Sequence, residues 1–383
     1  AAVTKTLPPT QFTAAMAVMD PTNGEVKALV AGPGFERSQF NLATQGARQP
    51  GSTYKAITLA AALEAGYSVR DTISGGSPCT VKIDGYQPWT TRNAEGGGGT
   101  YSLRSATEES VNCAFARLIA AVGPAKVAAM AKRMGVTRDV PAYPSITLGT
   151  VGASPLEMAT VYSTLAAEGV RHDPVFVTKV VDRDGRVIFD RAPKARRVLD
   201  AEIARTETDV LTGVIRNGTG TRADINRPAA GKTGTTDDKT NAWFVGYTPQ
   251  LVAAVWMGDP AAYTPMKNVG RFGEVFGGTY PALIWHEFMV AALRGQPVRK
   301  FTAPDETLWP KPASITDAGR GVPWSAITGA PGATGITGPS GPSGPSGPTG
   351  ETPATSSTTV PEVTTTTLAP TTTTVVARAT GPR

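Results

Sequence analysis

The chain is poor in the residues that metal and redox chemistry need, with two cysteines and two histidines among 383 residues. Cys79, Cys113, His172 and His286 have no metal-ligand spacing, and no cofactor motif is present, so neither a metal nor a cofactor is expected. The histidines also lack the partner pattern of a Ser-His-Asp site, and His172, in Arg-His-Asp-Pro, reads as a loop residue. The cysteine pair is compatible with a disulfide or with two separate buried thiols. No run of eighteen apolar residues occurs, so no segment of this sequence is expected to cross a bilayer as a helix. No cluster of lysine or arginine stands out, and a net charge of +6 gives nucleic-acid binding no support. No signal peptide opens the chain, and residues 1–11 read as a linker from a region upstream.

What is present changes along the chain. Up to residue 310 the composition is that of a globular domain. From 311 to 383 it is rich in Pro, Gly, Ser and Thr, with Gly-Pro triplets from 338 and Thr runs at 364–367 and 371–374. The triplets are too few for a collagen helix, and the segment carries too little apolar surface to offset its ordering entropy, so it is expected to be a disordered tail. Apolar runs at 14–19 and 25–31 flank Asp-Pro-Thr-Asn-Gly and predict a hairpin, and further strands are predicted at 229–235, 242–247 and 251–257. Between them, helices are expected at 103–122, 124–134, 155–168 and 201–216, with a loop-rich region at 71–100 and a hairpin from 175–181 and 186–190. A last helix is expected at 281–294. Strands at both ends and helices in the middle predict an α+β fold: an antiparallel sheet of about five strands, packed with helices and an inserted helical subdomain.

Three short motifs carry chemistry. The first lies in residues 47–66, where Pro50-Gly51 breaks the chain before an Ala-rich helix that closes at Gly66. Ser52 then falls in the first helical turn and Lys55 one turn along the same face. A serine hydroxyl needs a base, and an amine can act as one only when neutral. Burial and a helix N-terminus both push a lysine that way, and the helix after Lys55 is apolar nearly all round. The second motif, Ser110-Val111-Asn112, would aim a hydroxyl and an amide into one cleft if the helix breaks there. The third, Lys232-Thr233-Gly234-Thr235, lies on a predicted strand, so Lys232 and Gly234 face one way and Thr233 and Thr235 the other. A glycine inside a strand marks close approach of another backbone or a ligand, and a lysine and two hydroxyls beside it suit an extended peptide ending in a carboxylate. Alone, each motif is equally compatible with an ordinary helix face or edge strand.

In the order Ser-x-x-Lys, Ser-x-Asn, Lys-Thr-Gly-Thr they resemble the set found in penicillin-binding proteins and related β-lactamases. Over roughly residues 12–295 the sequence resembles the transpeptidase domain of class A penicillin-binding proteins, and that domain is expected to span 12–310. Phe40-Asn41, Arg48-Gln-Pro-Gly-Ser52, Leu148-Gly149, Ser154-Pro-Leu-Glu-Met158, Asn217-Gly-Thr-Gly220 and the run from Asn241 to Pro249 extend the match. Asn241 departs from the acidic residue of many relatives. The resemblance implies an enzyme that cross-links peptidoglycan stem peptides, is acylated by β-lactams, and belongs to a bifunctional synthase. It also implies a place on the extracytoplasmic face of the bacterial membrane, with attachment only through a missing N-terminal region. Ser52 would be the nucleophile and Lys55 its base. Ser110 would relay a proton, Asn112 would hold Lys55 and the substrate amide, and Lys232 would keep the Ser110 side of the site positive. Thr233 and Thr235 would bind the terminal carboxylate, Gly234 would leave room for the peptide, and the N–H groups of Ser52 and Thr235 would form the oxyanion hole.

Rival readings share parts of this pattern. A D,D-carboxypeptidase differs only in passing the acyl group to water. A class A β-lactamase needs a deacylating glutamate, and no Glu-x-x-Leu-Asn segment occurs between residues 113 and 231. A β-lactam-sensing receptor domain fits less well because the Arg48-Gln-Pro-Gly approach and the Asn241-Ala-Trp-Phe-Val-Gly strand resemble class A synthases better. An inert wall-binding module has no reason to keep Ser52, Lys55, Ser110, Asn112 and Lys232 together.

Overall fold

The structure, a computed structural model, describes residues 1–94, 98–192 and 194–316. Its centre is a five-stranded antiparallel sheet built from both ends of the domain, as the strand pattern predicts. β1 (Thr13–Met19) and β2 (Val26–Val30) come from the start; β11 (Ala230–Thr235), β12 (Asn241–Tyr247) and β13 (Val252–Gly258) come from the end. The order is β11-β12-β13-β1-β2, with Thr13 opposite Gly258 and Met19 opposite Val252 where the two ends meet. β12 and β13 are buried at every residue because both faces of the sheet are covered. Side chains alternate accordingly: Ala15, Ala17, Trp243, Val245, Ala254 and Trp256 join one core, while Ala14, Met16, Phe244, Ala253 and Val255 join another.

The second core is closed by α9 (Tyr280–Ala292) through Ile284, Trp285 and Met289, with α1 (Ala2–Thr6) lying against it. The first eleven residues, expected as a linker, therefore include a helix packed on the domain, and Lys5 pairs with Glu287 at 2.6 Å. The first core is closed by the helices of the middle region: α3 (Lys55–Glu64), α4 (Leu103–Glu108), α5 (Asn112–Val122), α6 (Pro124–Met134), α7 (Pro155–Ala166) and α8 (Ala201–Arg216). α3 is buried from Lys55 to Leu63, so its lack of a polar face reflects a helix surrounded by others. A short helix α2 (Leu42–Gln45) precedes it. Among the described residues no single helix is long and apolar enough to cross a membrane.

Several expectations are corrected. The helix predicted at 103–122 is two helices, α4 and α5, separated at Glu109–Val111. The loop-rich region 71–100 holds β3 (Thr72–Ser74), β4 (Cys79–Val81), β5 (Trp89–Thr91) and β6 (Thr100–Ser102), paired β3 with β6 and β4 with β5. His172 is not in a loop: it ends β7 (Val170–His172), which pairs with β10 (Ala195–Arg197), and it is buried. These strands are only three residues long, too short for an alternation to register. The predicted hairpin at 175–190 is present as β8 (Lys179–Val181) and β9 (Val187–Asp190), exposed at every residue. The chain also stays on the domain past residue 310. Thr72 and Ala313 share a backbone hydrogen bond, Ile315 donates to Thr72, Ala313 donates to the Asp71 carboxylate at 2.8 Å, and Ile315 is buried. The remainder of the expected tail, 317–383, lies outside the described residues.

Candidate active site

The nucleophile motif folds as a tight turn rather than as the first turn of the α-helix. Gly51–Tyr54 form a 3₁₀ turn, and the α-helical part begins at Lys55. Gly51 has φ of 58°, and a Cβ there would lie 2.8 Å from the Thr235 nitrogen. Gly234 is as constrained: a Cβ would sit 2.2 Å from the Pro50 carbonyl oxygen. Two glycines thus let the end of β11 press against the turn that carries Ser52. Tyr162 and Trp243 fix that turn from below, donating to Thr53 O at 2.9 Å and Gln49 O at 2.8 Å.

Ser110 owes its position to the break between α4 and α5. Val111 N–H bonds to Ala106 O and Ser110 N–H to Thr107 O, the paired pattern that ends a helix with a left-handed residue. That residue is commonly glycine; here it is Ser110, at φ of 61°. A serine held in this region costs on the order of 1 kcal/mol, and such strain gathers at functional sites. The break turns Ser110 and Asn112 onto Lys55, whose Nζ lies 2.6 Å from Ser110 O, 2.7 Å from Asn112 Oδ1 and 3.2 Å from Ser110 Oγ.

Lys55 is fully buried, with Nζ 5.4 Å from the centre of the Phe115 ring. Burial pushes its pKa well below the ordinary lysine range; the Lys232 charge pushes the same way, and Asp237 opposes them. A neutral amine has two N–H bonds and one lone pair. In that neutral form the N–H bonds would go to Ser110 O and Asn112 Oδ1, the two shortest contacts, leaving the lone pair for a hydroxyl. Lys232 is also fully buried, and burial brings its pKa down to about 7. Its Nζ donates to Thr233 O at 3.3 Å.

β11 is an edge strand of the sheet, so one side of its backbone has no neighbouring strand among the described residues. Thr233 Oγ1 lies 2.6 Å from Thr219 Oγ1, in the Asn217-Gly-Thr-Gly220 segment, and Thr235 Oγ1 accepts from Gly277 N–H at 3.1 Å. The chain segments of all three motifs therefore meet: Ser52 and Lys55 with Ser110 and Asn112 on one side, Lys232 to Thr235 on the other.

Comparisons with known proteins identify the family. The family model described as penicillin binding protein transpeptidase domain matches residues 14–272. The chain belongs to that family. It is 35% identical over 292 residues to penicillin-binding protein 1A of Aquifex aeolicus, covering 76% of this chain and 39% of that protein. It is 34% identical over 321 residues to the protein of the same name from Mycolicibacterium smegmatis, again covering 76% and 39%. The chain thus spans about two fifths of the length of these relatives. Among solved structures, the PonA1 protein from Mycobacterium tuberculosis in complex with penicillin V matches with a TM-score of 0.71 and 30% identity, over 80% of this chain and 85% of that one. Penicillin-binding protein 1A from Haemophilus influenzae matches with the same TM-score and 27% identity, over 78% and 50%.

Within this family framework the other matching segments prove to be supports. Arg48 lies over the Trp256 and Tyr263 rings and donates to Pro260 O at 2.6 Å. Ser154 and Glu157 form a reciprocal cap at the start of α7. Asn241 is buried and accepts from Trp256 Nε1 at 2.9 Å, so its departure from an acidic residue sits in the core. Sequence reasoning singled out the Thr219 segment without giving it a contact, and missed Gly277 and the Arg92-Asn93 pair, whose contacts come from distant segments. Only the two glycines around Thr219 and the Gly277-Gly278 pair hinted at close packing.

Proposed function

We propose that this domain is a serine D,D-transpeptidase that cross-links peptidoglycan stem peptides through a Ser52 acyl-enzyme. The observation that carries the reading is the buried Lys55 amine, held by Ser110 and Asn112 one turn from Ser52. Lys55 takes the Ser52 proton as the hydroxyl oxygen attacks the carbonyl of the penultimate D-Ala. The tetrahedral oxyanion is met by the N–H groups of Ser52 and Thr235, and a donor of this kind is worth roughly 3–4 kcal/mol. Ser110 passes a proton to the leaving amine, the terminal D-Ala departs, and an amine from a second stem peptide takes the acyl group. The donor peptide lies along the open edge of β11, its carboxylate on Thr233 and Thr235 beside the Lys232 charge, with Gly234 leaving room. Water in place of the amine would make the same domain a carboxypeptidase. The greater length of the relatives, of which this chain covers 39% and 41%, supports a place in a longer, bifunctional cell-wall synthase. The Cys79–Cys113 disulfide supports an extracytoplasmic location.

Intact-mass measurement after incubation with penicillin tests the nucleophile: one adduct is expected, lost in Ser52→Ala. An adduct that survives the substitution overturns the assignment. A chromogenic β-lactam at high enzyme concentration tests the class. One equivalent released and then a nearly flat line fits a transpeptidase, because the tethered leaving group blocks the acceptor's approach and no Glu-x-x-Leu-Asn segment between residues 113 and 231 supplies a base for water. Sustained turnover on the order of 10 per second would mean a β-lactamase.

A further inference from the structure

The start of α5 lacks its own cap. Its N-cap position is Val111, which has no side-chain acceptor, so the first-turn N–H groups need partners from elsewhere. The Cys113 N–H finds one twenty residues upstream, donating to Asn93 Oδ1 at 2.9 Å. Asn93 is itself held: its Nδ2 donates to Gly75 O at 2.9 Å and its backbone N–H to Ser77 Oγ at 2.9 Å. With Nδ2 committed to Gly75, the oxygen end of the amide has to face α5. The neighbouring residue completes the arrangement, since Asn112 Nδ2 donates to Arg92 O at 3.0 Å. That bond decides which end of the Asn112 amide meets Lys55. With the nitrogen turned to Arg92, Oδ1 is left to accept from Lys55 Nζ at 2.7 Å. A flipped amide would set N–H against N–H. The Cys79–Cys113 disulfide ties the same helix turn to β4.

We propose that Asn93 is a positioning residue for acylation: by capping α5 in place of a local side chain it holds the Arg92 carbonyl against Asn112, and so sets the orientation of the Lys55 amine. The proposal rests on the reading of Lys55 as the base for Ser52. Without the cap, Asn112 is free to turn, one Lys55 N–H loses its acceptor, and the lone pair no longer has a fixed direction. Asn93 acts through Arg92 and Asn112 rather than on the reacting atoms, so its effect falls on the chemical step.

The test is the acylation of wild type, Asn93→Ala, Asn93→Asp, Asn112→Ala and the Asn93→Ala/Asn112→Ala double variant by a fluorescent penicillin. Rates are normalised to the sites finally labelled, so that unfolded protein does not count. Asn93→Ala is expected to lower the acylation step roughly 10–100-fold, as misplacement of a catalytic group does, with the noncovalent dissociation constant changed by less than about threefold. Asn93→Asp keeps an acceptor at the helix N-terminus and should recover at least about fivefold of that loss. In the Asn112→Ala background, Asn93→Ala should cost less than about threefold more, because both act on one hydrogen bond. Losses that multiply in the double variant overturn the proposal, as does an unchanged acylation step in Asn93→Ala. So does an aspartate that recovers nothing; where the alanine variant does not fold, the aspartate is compared with wild type, and an acylation step more than about twentyfold slower overturns the proposal. A Ser52→Ala protein that still takes the label would instead sink the catalytic reading, and these two failures are distinct.

Discussion

Cys79 and Cys113 close a loop of 34 residues that contains β4, β5 and the Arg92-Asn93 strap. Replacing both with alanine releases that loop in the unfolded chain. The loop-closure entropy for this separation corresponds to about 4 kcal/mol of stability at 25 °C. For the roughly 310 described residues the unfolding entropy is about 0.65 kcal/mol per kelvin, so a two-state melt should shift down by about 6 °C. Local effects should exceed the global one. The cluster around the bond is small, Cys79, Val81, Cys113 and Ala116 with Trp89 and Ala120 against it, so little apolar burial holds the β4–β5 hairpin once the bond is gone. Since Arg92 O holds Asn112 and Asn93 caps α5, loosening the hairpin should also slow acylation of Ser52. The assay is calorimetry of wild type and the Cys79→Ala/Cys113→Ala variant, together with penicillin acylation rates and amide exchange over residues 75–93. A shift under about 1 °C with wild-type acylation would refute the reasoning. So would two free thiols counted in the wild type under denaturing, non-reducing conditions.

Lys232, with its pKa brought down to about 7 from 10.5, binds fewer protons folded than unfolded between those values. Stability should therefore rise with pH from about 7 to 10.5 and be lowest below 7, and Lys232→Met should flatten this dependence; an unchanged slope in that variant would remove Lys232 as its source. Glu207 is buried in the first core with no hydrogen-bond partner for either carboxyl oxygen among the described residues, and burial raises its pKa well above the carboxylate range. A raised acid loses stability as pH climbs from the unfolded value towards the folded one, so Glu207→Gln should raise the melting temperature by a margin that grows with pH; a lower melting temperature at pH 8 would contradict this. Gly234→Ala drives a Cβ to 2.2 Å from Pro50 O, so β11 has to move away from the Ser52 turn. Stability should fall by about 1–3 kcal/mol and acylation by more than about a hundredfold, which a folded variant acylating at the wild-type rate would disprove.

Much of this protein was set by short-range pattern. Runs of apolar residues at both ends specified five strands, and an Ala-rich segment without a polar face specified a helix that had to be buried. The order of Ser52, Lys55, Ser110, Asn112 and Lys232 to Thr235 pointed to one chemistry, because few reactions use a serine, a neutral lysine and a carboxylate clamp together. What the sequence could not decide depends on partners far away in the chain. Residues 103–122 have helix-forming character throughout, and the break at Ser110 becomes visible only in the backbone bonds that hold a serine at φ of 61°. Residues 71–100 have no periodicity, because their strands are three residues long and are fixed by a disulfide and by α5. Residues 313–315 look like tail by composition, yet backbone bonds to Thr72, which any sequence can make, hold them on the domain. The lowered pKa of Lys55 was legible in part: the apolar helix pointed to burial, but the Lys232 charge that adds to it lies 177 residues further along the chain, and no local pattern encodes that meeting.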